Sequence, residues 1–149
     1  MSELLAPHYL QAPVLAVINP QSASAGTYSS GWVSLATLSR VYAVLNIGAI
    51  TGSGTVDAKI QQASDSGGTG AKDVTGVAMT QIVGSANSNK QVTLEVRQSQ
   101  LDVANNFTHV RLTVTTAVAA SLISAVVQGI GAKYPPQSQA ASVVESVAN

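Results

Sequence analysis

Residues 55–61 alternate polar and apolar side chains without interruption, placing Val56, Ala58 and Ile60 on one side and Asp57, Lys59 and Gln61 on the other. Residues 91–97 repeat the pattern with Val92, Leu94 and Val96, and residues 108–114 do so again with Val110, Leu112 and Val114. A period of two is the mark of a strand with one buried and one wet face, and helical spacing fits none of the three. More apolar strand candidates lie at 14–18, 33–38, 41–47, 74–82 and 122–130. The connectors at 51–54, 66–70 and 84–90 are rich in Gly, Ser and Asn, and Asn105-Asn106 is a further turn signal, so hairpins are expected. About eight strands joined by short polar loops predict an all-β chain: a single antiparallel β-sandwich, jelly-roll-like domain or barrel.

The ends break the pattern. Residues 1–13 hold Pro7 and Pro13, and residues 135–149 open on Pro135-Pro136. Proline fixes φ and removes a ladder donor, so both read as extended arms flanking a β domain over 14–134. A short helix over 140–147 is a further expectation. Tyr9 and Tyr134 each sit near a proline in an arm, where an aromatic ring can plug a pocket on a neighbour. Pro7, Tyr9, Pro13, Tyr134, Pro135 and Pro136 are therefore the candidate interface residues.

Charge then limits what the domain can do. Only 9% of the chain's 149 residues are charged, seven basic against seven acidic, while 46% are hydrophobic and 4% aromatic. Self-repulsion is weak on such a surface, so association with other copies, as a dimer or trimer, is expected. The seven Lys and Arg form no basic run, which argues against nucleic acid. Without cysteine there are no disulfides or thiolate metal sites. The opening MSELLAPHYL lacks the basic start of a secretory signal, and the apolar stretch at 117–127 is too short to span a bilayer. Synthesis in a cytoplasm and no membrane role are expected.

Candidate chemistry is thin. Residues 67–73 (GGTGAKD) suggest a phosphate loop, but Ala71 separates Gly70 from Lys72 and Asp73 stands where a hydroxyl is needed. His8 and His109 have no Gly-x-Ser-x-Gly elbow to serve, and read as surface histidines. Asp65 and Asp73 flank the glycine loop, but a calcium site needs more oxygen ligands at defined spacing. Glu95 with Arg97, and Asp57 with Lys59, read as surface ion partners worth about a few tenths of a kcal/mol each. Asn106-Phe107-Thr108 matches the glycosylation sequon, coincidental without a secretion signal. Trp32 is either a core anchor or an interface hot spot, the core being the stronger reading for a lone tryptophan in a small sheet protein. No catalytic, cofactor-binding or metal-binding residue is assigned, and no enzyme activity is expected.

Three segments carry a family likeness. VDAKIQQA at 56–63, GAKDVTG at 70–76, and LDV at 101–103 with FTHVRLTV at 107–114 resemble small proteins encoded among the head-structure genes of tailed bacteriophages and prophages. The resemblance covers residues 40–135 and leaves out the arms. It implies a capsid decoration (cement) protein: a virion component made in the bacterial host cytoplasm, attached outside the shell, whose partner is the major capsid protein. Another virion role (head–tail connector, tail tube or fibre) and a glycan-binding β-sandwich module are the alternatives.

Overall fold

The computed structural model describes residues 11–133 and 138–147. Ten strands follow one another: β1 (Val14–Ala23), β2 (Gly26–Ser29), β3 (Val33–Ser34), β4 (Arg40–Ile50), β5 (Thr55–Ala63), β6 (Lys72–Ala78), β7 (Ile82–Val83), β8 (Lys90–Arg97), β9 (His109–Ala117) and β10 (Ser121–Ile130). One sheet (sheet A) runs β1-β10-β4-β8; the other (sheet B) runs β2-β9-β5-β6, with β3 also on β9 and β7 on β5. All pairings are antiparallel. Among the described residues, helical structure other than 3₁₀ turns is confined to Gln11.

The pairing is nested. β5 pairs with β6, β4 with β8, β2 with β9 and β1 with β10, as though one long hairpin had been rolled up. This is the jelly roll, and the chain is an antiparallel β-sandwich of that kind. Inward side chains of the two sheets meet in an aliphatic core in which Leu45, Val56, Ile60, Val110, Leu112 and Val127 are completely buried. Gly129 marks its tightest point: a Cβ there would stand 2.5 Å from Leu15 Cδ1 and 2.8 Å from Leu38 Cδ1.

The three alternating segments are β5, β8 and β9, with the inward residues named above inward, Val92 among them only half-buried. Elsewhere the structure differs. Of 33–38 only Val33–Ser34 is strand; the chain then turns so that Leu35 and Leu38 plug the core, 0% and 1% exposed. The 74–82 candidate is split between β6 and β7 by a break at 79–81, and Gly76 at φ +79 lies in the irregular stretch of the β5–β6 pairing. β2 was not foreseen, since Gly-Thr-Tyr-Ser has too few apolar residues to show a period. Among the described residues, only the 64–71 connector closes a hairpin. The turn at 51–54 carries the chain from sheet A to sheet B, and 84–89 carries it back. The expected helix over 140–147 is absent: one turn at 141–142 brings the Val143 N–H to the Ala140 carbonyl at 2.9 Å. Serine and β-branched valine are poor helix formers, and Ser142, Val143, Val144, Ser146 and Val147 dominate this stretch.

Candidate functional site

The outward faces of the two sheets differ in chemistry. On sheet B, Gln61 projects outward from β5, and its Oε1 accepts from Arg111 Nε (3.1 Å), Arg111 NH2 (2.9 Å) and the Thr113 hydroxyl (3.1 Å) of β9. Gln61 Nε2 donates to Asp73 at 3.1 Å, and Lys59 Nζ donates to the other oxygen of Asp73 at 2.8 Å. The Arg111 guanidinium lies 4.6 Å from the Trp32 ring centre, and Lys72 both pairs with Asp102 and sits 4.3 Å over Phe107. Lys59, then Gln61, hold the Asp73 carboxyl below the ordinary aspartate value, and Lys72, then Asn105, do the same for Asp102. Gln61, Lys72, Asp73, Asp102 and Arg111, from residues 56–63, 70–76, 101–103 and 107–114, are thus each bonded to another member of the same set, while Asp57 turns to Gln81 outside it. Those segments describe a self-satisfied framework.

The glycine loop is occupied by its own aspartate. Asp65 Oδ1 accepts the N–H groups of Gly67 (2.9 Å) and Thr69 (3.1 Å), so donors that would cradle a phosphate are already used. Bonds from Thr69, and then from Gly67 and Gly68, hold this carboxyl low as well. Asp65 and Asp73 turn to different partners and do not converge. Among the described residues no three His, Cys, Asp or Glu side chains gather where a metal could sit. His109 Nδ1 lies 2.9 Å from the Thr108 hydroxyl, on the outward side of β9. Asp57 accepts from Gln81 at 2.6 Å and Lys59 goes to Asp73, so the expected Asp57–Lys59 pair is replaced by contacts to neighbouring segments. Glu95 does meet Arg97 at 3.7 Å, and Arg40 more closely at 3.3 Å.

Trp32 is not the core anchor. It is half-buried at the side of sheet B, held between Arg111 and the loop at Gly68, where a Cβ would fall 2.8 Å from its Nε1. The core is built of Leu, Ile, Val and Ala, and Trp32 is not among its members. Of the six candidate interface residues, Pro13 is buried within its own chain, its carbonyl accepting from Gly129 at 3.1 Å. Pro7, Tyr9, Tyr134, Pro135 and Pro136 lie outside the described residues, as does His8.

Sheet A offers the surface that the sequence reading missed. Val17, Val126 and Val44 face each other in register across β1, β10 and β4, with Thr93 of β8 next in the row. All three valines point outward and are half-buried. The charged residues of this face (Arg40, Glu95 and Arg97) gather in one corner. The C-terminal segment comes back to the same face: the Ala140 N–H donates to the Val14 carbonyl at 2.7 Å, and Val143 helps line a cleft of about 280 Å³ with Val17 and Val126. A second cleft of about 520 Å³ lies alongside, between Pro20, Asn46, Gly48, Gln91 and Leu122. The missed signal was the outward valine in strands read as simply apolar. A run such as VYAVLNI at 41–47 hides it, because both of its faces look hydrophobic.

No family model matches the chain, and no curated protein is similar to it in sequence. Solved structures of similar shape include one described as "CBM4 structure and function", at 14% identity, TM-score 0.43 and 69% of this chain. The Cowpea mosaic virus top component, a naturally occurring empty particle, gives 13% identity, TM-score 0.39 and 78% of this chain. Broad bean stain virus gives 12%, 0.40 and 78%. The chain spans 60%, 64% and 67% of these three solved chains respectively. At such TM-scores the likeness carries no argument about function.

Proposed function

We propose that this chain is a structural protein of a tailed-bacteriophage particle that coats the outside of the capsid and stabilises it by bridging neighbouring capsomers of the major capsid protein. In that role it carries out no reaction and needs no cofactor. The observation that supports this reading best is the outward face of sheet A, where a valine row crosses three strands and charge is kept to one corner. A face so nearly free of charge can be pressed against another protein with little desolvation of ions. Many copies, each making a modest contact, then add up to firm attachment. The resemblance of residues 40–135 to phage head-structure proteins supplies the lattice. The experiment is co-sedimentation of the purified full chain with expanded shells that lack it. Saturable binding and a higher shell disruption temperature are expected; shells that pellet without the chain contradict the reading. Val44→Glu, a charge set into the valine row, should lower binding while the far-ultraviolet circular dichroism stays that of a β-sandwich.

The half-buried Trp32 favours a second reading, glycan binding on sheet B. Arg111 already covers part of its ring, and assembled particles that bind no sugar on a glycan array would remove the idea.

A further inference from the structure

We infer that the turn between β9 and β10 is a knob that enters the uncharged cleft on sheet A of a second copy, the two copies exchanging knobs about a twofold axis. The knob is Val118. Its φ is +69, and the Ala119 N–H donates across it to the Ala117 carbonyl at 2.8 Å, the pattern of the rare positive-φ γ-turn. A β-branched residue is strained there, and glycine would make the same turn freely. Yet Val118 is 71% exposed, so little of its side chain is used within the chain. Strain combined with exposure points to a contact made outside the molecule.

The occupant follows from what lies next door. The cleft of about 520 Å³ starts at Leu122, 47% exposed, and none of its lining residues is charged. Val118 and Leu122 are four residues apart, so the knob and the mouth of the cleft are within about 14 Å of each other. Adjacent on one molecule, a knob and a cleft cannot engage each other. Between two copies a twofold axis satisfies both at once and closes the assembly. The knob carries no charge either, so neither surface has an ion to desolvate.

Sedimentation equilibrium on the free full-length chain tests this without any shell. The wild type should be a dimer. Val118→Gly should raise the dimer Kd by roughly tenfold or more while its melting temperature as a monomer is unchanged or higher, because the strain is relieved. Leu122→Asn, on the cleft side, should weaken the dimer in the same way. A wild type that stays monomeric at about 100 µM, a different oligomer, or a Val118→Gly dimer of unchanged Kd overturns the inference. So does a Val118→Gly chain that dimerises normally but no longer binds shells, for then the lattice and not a sister copy receives the knob. Shell binding by a monomeric wild type would leave the proposed function standing and remove only this dimer.

Discussion

Single residues carry several of the sharpest consequences. Ser121 Oγ is buried with no hydrogen-bond partner among the described residues, so Ser121→Ala should stabilise the fold by about 1 kcal/mol in chemical denaturation. Gly129→Ala should do the opposite, by about 1–3 kcal/mol, because Leu15 and Leu38 already fill the space a methyl group would need. Asp65, Asp73 and Asp102 all titrate below their ordinary value of 3.8 in the folded chain. A lowered carboxyl pKa means stability that is complete above the unfolded value and lost as pH falls through the folded one. Melting temperature should therefore decline below about pH 4, and carboxyl NMR titration of Lys59→Ala should show Asp73 moving back toward 3.8 while Asp65 does not move. The orphaned hydroxyl of Ser121 and the close approach at Gly129 were not legible beforehand, and Asp65 and Asp73 stood out only as flanks of the glycine loop. Serine, glycine and aspartate are common in this sequence, and only three-dimensional neighbours tell a close approach or an orphaned hydroxyl from an ordinary loop residue.

At the scale of elements, legibility followed periodicity. β5, β8 and β9 have one wet face each, so their alternation stands in the sequence. β4 and β10 were found as apolar runs, but their outward valines were hidden by the inward ones. The segment over 33–38 misled for a physical reason: Leu35 and Leu38 are buried by a turn, which an apolar run cannot distinguish from a strand. The C-terminal segment makes its own prediction. Residues 138–147 are tied to the domain by the Ala140–Val14 bond, the Gln139 Oε1–Val14 N–H bond at 3.3 Å and the half-buried Val143, while Val144 and Val147 are 96% and 86% exposed. Two hydrogen bonds and part of one valine are worth no more than about 3 kcal/mol. A chain ending at Lys133 should keep its cooperative unfolding and lose no more than that, and under the proposed function it should bind shells less tightly.

For the whole molecule, the jelly roll explains why so little chemistry gathers. Its nested pairings join residues as far apart as Val14 and Gln128, and the polar groups that the sequence offered as candidates are used in holding sheet B together. What remains is surface: a polar, internally bonded face on one side and a valine-rich, almost uncharged face on the other. Sequence periodicity could foretell two-faced strands, but the rolling of the hairpin decides which faces share a sheet, and that information is spread over long-range contacts. If the second face serves a lattice, this chain should be abundant in purified phage particles, which quantitative gel densitometry against the major capsid protein can measure. A copy number of the same order as that of the major capsid protein is expected; a single ring's worth per particle, or none, would overturn the proposed role.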